Sequence, residues 1–119
     1  EAGSDFFLMP SAFEPCGLNQ MYSLAYGTPP VVRATGGLDD SVENFNEATL
    51  SGDGFKFWSA TATALYDTVG WATWTWFNNP AGLEALRCNG MAKRFTWEDA
   101  ALKYEELYHN ALRRKRGDR

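Results

Sequence analysis

The sequence predicts an α/β fold: a partial Rossmann-like parallel sheet of about three strands, with flanking and C-terminal helices. Three observations carry that expectation. A strand–helix–strand unit fills the segment from Asp5 to Arg33. A minimal third strand, Phe55-Lys56-Phe57, follows a polar loop. From Ala60 onward the apolar residues recur at helical spacing.

Asp5-Phe6-Phe7-Leu8-Met9 is apolar from its second residue and is stopped by Pro10 and Ser11, the pattern of a buried strand in a parallel sheet. Ser11 to Gly17 reads as a loop. Leu18, Met21, Tyr22 and Ala25 recur at i, i+3, i+4 and i+7 and predict a helix from Leu18 to Tyr26, with Gly27 just past its last turn. Pro30-Val31-Val32-Arg33 is the second strand. Together these form a βαβ unit, for which the crossover is expected to be right-handed. Ala34 to Gly37 reads as a loop leaving the C-terminal end of that strand, Asp39 to Phe45 as a short helix or turn, and Asn46 to Gly54 as a polar loop ending in an Asp53-Gly54 turn.

The stripe Leu65, Val69, Ala72 and Trp76 predicts a helix from Ala60 to Phe77, against the weak propensity of Gly70. Trp71 to Phe77 also alternates like a strand, so the periodicity there admits both structures. Pro80 suits the first turn of a further helix running to about Arg94. Thr96 and Asp99 form a capping-box-like start before the last apolar face: Trp97, Ala100, Ala101, Tyr104, Leu107, Tyr108 and Ala111. Three strands are too few for a complete doubly wound domain. The chain also opens on Glu1 and enters a strand within a few residues, so it reads as cut from something longer.

Composition narrows the function. The 119 residues are 45% hydrophobic and 22% charged, with five Trp, five Tyr and eight Phe, a globular rather than a disordered profile. A net charge of −4 and a sequence pI near 4.9 speak against a nucleic-acid binder. The basic run Arg113-Arg114-Lys115-Arg116 reads as charge complementing a helix C-terminus and leading into a solvated tail, 113–119. The triplet Arg116-Gly117-Asp118 is read as coincidence. Two cysteines, Cys16 and Cys88, fit a reducing compartment and no metal-ligand spacing. No apolar run approaches the ~18 residues of a membrane span, and His109 is the one histidine.

The chemistry-bearing segment is Glu14-Pro15-Cys16-Gly17-Leu18-Asn19-Gln20, which leaves a strand and enters a helix at the edge where open α/β sheets take ligands. Main-chain amides there lack intrahelical partners and suit an anion. A phosphate against Gly17, Leu18 and Asn19 would leave Glu14 to accept hydrogen bonds from an attached sugar. The loop Thr35-Gly36-Gly37, from the next strand, would form the other wall. On local pattern alone a plainer reading stands at least equal: Gly17 permits a tight turn and Glu14 complements a helix start. Cys16 is read both as a thiol activated by the helix start and as a small residue fitting the loop. Trp71, Trp74 and Trp76 offer flat stacking faces, but such clusters more often serve packing.

The motifs Phe13-Glu14-Pro15-Cys16-Gly17-Leu18, Gln20, Tyr26-Gly27-Thr28, Pro30-Val31-Val32-Arg33 and Thr35-Gly36-Gly37-Leu38, with Asp40 and Val42, resemble the C-terminal signature of glycogen and starch synthases that use ADP-glucose. Gly54-Phe55-x-Phe57, Phe95-Thr96-Trp97, Tyr104 and Tyr108 extend the resemblance from about Asp5 to about Tyr108. It implies a GT-B enzyme that moves glucose from ADP-glucose to the non-reducing end of an α-1,4-glucan with retention of configuration. Residues 1–112 would then be part of its C-terminal, nucleotide-sugar-binding domain.

By that resemblance Glu14 meets the donor glucose, and Cys16, Gly17, Leu18 and Asn19 receive the sugar and distal phosphate. Thr35, Gly36 and Gly37 lie nearby. The second carboxylate common in the broader superfamily is replaced here by Tyr22. The resemblance implies no metal and no cofactor beyond the substrate ADP-glucose. It implies no nucleic-acid or membrane partner and a cytoplasmic bacterial location, with a plastid as the alternative. It also implies an absent N-terminal domain with a Lys-x-Gly-Gly element, onto which the last helix would pack, and places a catalytic-region histidine and a diphosphate-neutralising Lys/Arg pair upstream of Glu1. Without that domain the chain is expected to be inactive and open to self-association. A catalytically silent phosphate- or glucan-binding module, and a GT-B transferase with another donor, are the alternatives.

Overall fold

The computed structural model describes residues 1–117. Three parallel strands, β1 (Phe7–Met9), β2 (Pro30–Arg33) and β3 (Phe55–Phe57), lie in the order β1-β2-β3. Phe7 stands opposite Pro30, and Val31 opposite Phe55. Five helices accompany them: α1 (Asn19–Ala25), α2 (Gly36–Ser41), α3 (Ala62–Asn78), α4 (Pro80–Ala92) and α5 (Trp97–Arg116). The expected α/β architecture is therefore present.

β2 is central and wholly covered; its side chains alternate between two cores. Val31 faces Phe45, Phe55, Ala72 and Leu86, flanked by Phe6 and Trp71. Val32 faces Leu38 and Val42, flanked by Met9. β1 departs from the buried strand expected: it pairs on one side only, and Leu8 is 50% exposed. A parallel strand is buried on both faces only when elements cover both.

α1 corrects the expected helix face. The apolar stripe Leu18, Met21, Tyr22 and Ala25 points largely outward, whereas Gln20, Ser23 and Leu24 are buried. The buried face is polar because its side chains satisfy carbonyls inside the chain: Gln20 bonds those of Cys16 and Gly17, and Ser23 that of Thr28.

α2 corrects a boundary. It begins at Gly36, so Gly36 and Gly37 form its first turn rather than a loop, and it ends at Ser41 rather than Phe45. Val42 turns to extended backbone, and the Phe45 amide bonds Gly54 O. This takes Val42 and Phe45 into opposite cores, which one continuing helix face could not do.

Trp71 to Phe77 is helical, inside α3, which is capped by Thr61 accepting from the Ala64 amide. The buried stripe is Thr68, Ala72 and Thr75; Val69, expected inside, is exposed. Thr68 and Thr75 enter the core by donating to the carbonyls of Ala64 and Trp71 one turn back. Trp71 packs edge-on against Phe55 at 4.8 Å, and Trp76 meets Phe6 and the Arg87 guanidinium. Trp74 is half exposed.

α4 starts from Asn79, whose side chain accepts from Gly82, and packs on α3 and α1. At its end Lys93 donates to Ser41 O and pairs with Asp53, which is buried and also accepts from the Glu43 amide. Asp53 is thus a structural anchor rather than the turn residue expected: the turn of this loop lies at residues 47–50, and Gly54 bridges to Asn44.

α5 is capped by Thr96 and by Gly117 in the left-handed region, and Arg113 to Arg116 form its last turn. None of its residues is buried. A helix of this length spans ~30 Å, which accounts for a longest dimension of 58 Å against 29 and 27 Å. Residues 118 and 119, which end the basic tail and hold Asp118 of the Arg-Gly-Asp triplet, lie outside the described residues.

Candidate functional site

All three strands end at one edge, and the expected site residues gather there. After β1 the chain runs through Glu14 and Pro15 to Gly17, whose φ of +71° makes the turn into α1. A side chain at this position would be strained, and its Cβ would lie 2.5 Å from Gln20 Oε1. After β2 the chain passes Thr35 and enters α2 through Gly36-Gly37. A Cβ on Gly36 would overlap the carbonyl of Glu14, and one on Gly37 that of Cys16. The two segments touch main chain to main chain, and the Gly37 amide donates to both Glu14 O and Pro15 O.

Glu14, Cys16, Gly17, Thr35, Gly36 and Gly37 are thus brought into one surface, with Leu18 and Asn19 continuing from it. Cys16, Leu18, Asn19 and Gly36 are exposed; Glu14, Gly17, Thr35 and Gly37 are half-buried. Among the described residues the amides of Gly17, Leu18 and Asn19 meet no protein acceptor. Ser11 Oγ lies 3.5 Å from Glu14 Oε2, a long contact that leaves the carboxylate free to accept others. Thr35 caps α2 in extended conformation without a side-chain cap bond. Helix α1 has seven residues and starts only at Asn19, so the unpaired amides of Gly17 and Leu18 belong to the loop before it.

Three residues that hold this surface carried no role in the sequence reading. Arg33, at the end of β2, donates to Ser11 O at 3.0 Å, Ala12 O at 2.8 Å and Trp58 O at 3.3 Å, and so ties the segments that follow β1 and β3. Gln20 is fully buried beneath the first loop, and Ser41 lies beside it. A glutamine flanked at i+3 and i+4 by Ser23 and Leu24 was the available sign that this face turns inward. Arg33 also borders a largely apolar recess of about 320 Å³ with Pro10, Ala12, Phe57 and Leu65. Both cysteines are free and exposed. Among the described residues no cluster of three His, Cys, Asp or Glu side chains is placed to hold a metal ion, and no helix is long and apolar enough to cross a membrane.

Comparison with known proteins bears on the chain as a whole. No family model matches the chain. It is 71% identical over 119 residues to glycogen synthase 1 of Geobacter metallireducens, covering 100% of this chain and 24% of the relative. It is 70% identical over 117 residues to glycogen synthase 1 of Geobacter sulfurreducens, covering 98% of this chain and 23% of the relative. Among solved structures, the catalytic domain of starch synthase IV from Arabidopsis thaliana, bound to ADP and acarbose, superposes with a TM-score of 0.79 at 34% identity, over 92% of this chain and 23% of that one. Sucrose-phosphate synthase from Thermosynechococcus elongatus gives a TM-score of 0.66 at 28% identity, over 92% and 26%.

The fold is that of a GT-B glycosyltransferase domain fragment. Within that class the chain is a segment of the glycogen and starch synthase type, and it spans about a quarter of the length of the curated relatives it matches.

Proposed function

We propose that this chain supplies the donor-binding surface of a glucosyltransferase that moves glucose from ADP-glucose to the non-reducing end of an α-1,4-glucan in the bacterial cytoplasm. One observation carries the reading. In a chain 71% identical to a glycogen synthase, the amides of Gly17 and Leu18 stand unpaired beside Glu14 at the ligand edge of a parallel sheet.

Fixed dipoles at that position stabilise charge developing on a departing diphosphate without reorganising as the bond breaks. Glu14 accepts hydrogen bonds from the glucose hydroxyls and is not assigned as a nucleophile. Cys16 and Asn19 border the sugar and distal phosphate, and Thr35, Gly36 and Gly37 form the opposite wall. The catalytic domain of the related starch synthase is bound to ADP, which supports an adenine-nucleotide donor for the longer enzyme. The cations that neutralise the diphosphate lie upstream of Glu1 in the longer synthase, as does its N-terminal domain. Helix α5, with Trp97, Tyr104, Leu107 and Tyr108 exposed, is the surface we assign to that domain. The 119-residue chain alone is then expected to bind donor weakly and to transfer no glucose.

An NMR titration of the chain with ADP and ADP-glucose tests the reading. The amides of Cys16 to Asn19 are expected to shift with both, and Glu14 with ADP-glucose alone. Shifts confined to other surfaces, or glucose transfer to glycogen by the isolated chain, would overturn it.

A further inference from the structure

We infer that Gln20 is the positioning residue of the donor loop, aiming its main-chain donors from beneath, and that Ser41 extends that hold to the second loop. The inference rests on the reading of the Gly17 and Leu18 amides as diphosphate donors, and goes beyond it by naming what aims them.

Gln20 is 0% exposed. Its Nε2 lies 3.1 Å from Cys16 O, 3.0 Å from Gly17 O and 3.1 Å from Ser41 Oγ. Ser41 Oγ donates in turn to Gly37 O at 2.5 Å, so towards Gln20 it is the acceptor. The carboxamide orientation is therefore dictated, because the reversed group would set an oxygen against two carbonyls. In the orientation observed, Gln20 Oε1 is buried with no partner. A buried unpaired acceptor is costly and rare in native proteins, so the packing tolerates a penalty in order to keep the N–H groups where they are.

Peptide planarity explains what that placement does. In a trans peptide unit the C=O and the following N–H point in opposite directions within one plane. Drawing Cys16 O inward turns the Gly17 N–H outward, and drawing Gly17 O inward does the same for Leu18. One buried side chain thus sets the direction of the two donors assigned to the diphosphate. Through Ser41 the same amide is linked to the Gly37 carbonyl, on the segment that grips Glu14 and Pro15.

The test compares the 119-residue chain with Gln20→Glu, Gln20→Met and Ser41→Ala variants, recording amide spectra without ligand and then with ADP-glucose. In Gln20→Glu the ionised carboxylate cannot donate and repels both carbonyls; protonation restores one donor. The Gly17 and Leu18 amides are expected to titrate together in that variant and not in the parent chain. ADP-glucose affinity is expected to fall by about tenfold near pH 8, one hydrogen bond's worth, and to recover on acidification. A role in stability alone would lower the melting temperature while leaving the folded fraction's affinity independent of pH.

Gln20→Met removes the donor without adding charge, and is expected to shift the same two amides and weaken binding at every pH. If neither variant folds, Ser41→Ala decides, since it should move the Gly17 and Leu18 amides from a different helix. The inference is overturned if the folded variants keep the parent shifts at Gly17 and Leu18, or bind ADP-glucose within about twofold of the parent. If the parent chain binds no ADP-glucose, the donor-site reading fails, while the ligand-free pH titration still decides whether Gln20 aims the loop.

Discussion

The amide of Gly37 is shared between the carbonyls of Glu14, at 3.1 Å, and Pro15, at 3.2 Å. Segments following two different strands are thereby fixed to one another through direct main-chain hydrogen bonds, beside the side-chain link through Gln20 and Ser41. Glycine at 37 is what lets them approach this closely.

Gly37→Ala should therefore separate the two loops. We expect a loss of stability on the order of 2 kcal/mol, since the new methyl meets backbone rather than a yielding side chain. Loss of the ADP-glucose-dependent shifts at Gly17 and Leu18 should accompany it. Gly70→Ala is the control: Gly70 lies in α3 with open space around its Cα and an ordinary φ. Thermal melting should show that variant unchanged or stabilised by up to ~1 kcal/mol.

Lys93→Met leaves Asp53, whose side chain is 2% exposed, without its counter-charge. Breaking such a pair costs about 3 kcal/mol. Denaturant unfolding should show the double variant Asp53→Asn with Lys93→Met to be less destabilised than Lys93→Met alone, because the uncompensated charge has gone. The two single effects should fail to add.

Trp71 and Trp74 are three residues apart on one helix and should behave in opposite ways. Trp71→Ala removes the ring stacked among Phe45 and Phe55, and is expected to cost about 3–5 kcal/mol. Trp74→Ala, on the half-exposed side, is expected to change stability by less than ~0.5 kcal/mol. Urea titration of each variant measures both.

Cys16 borders the proposed donor surface, and Cys88 lies on α4 beside the Glu84 carboxylate. ADP-glucose should slow alkylation of Cys16 while leaving Cys88 unaffected, as read by mass spectrometry of the two peptides. Equal protection of both, or of neither, would count against a ligand at the Glu14 loop.

Much of this was legible before any coordinates. The βαβ order, the third strand, the cap at Thr96 and the meeting of the Glu14 and Gly36-Gly37 segments all follow from local patterns that tertiary packing left intact. What was misread has a common cause. α1 is too short for its apolar stripe to identify the core face. Its inward side is occupied by Gln20 and Ser23, whose burial is stabilised by carbonyls that no periodicity reveals. Likewise Thr68 and Thr75 enter the α3 core because their hydroxyls are satisfied one turn back, and displace Val69 from the expected stripe. The first turn of α2 went unseen because a glycine pair reads as a loop until the neighbouring carbonyls that require it are known. Arg33 looked like the end of a strand, and only the positions of Ser11, Ala12 and Trp58 show it to be a clamp.

That clamp has an electrostatic corollary. Both basic side chains on the sheet, Arg33 and Lys56, already have partners within the chain: three carbonyls for one, and Asp39 for the other. Among the described residues an anion arriving at the Gly17 loop is met first by oriented dipoles, while the Arg33 guanidinium keeps its charge but is held by the carbonyls of Ser11, Ala12 and Trp58. Dipolar attraction of that kind is short in range, falling off within a turn, and salt screens it as well. Whatever affinity this surface has for a nucleotide should fall less steeply with ionic strength than that of an arginine-lined pocket, where the longer-range charge–charge attraction is what salt removes.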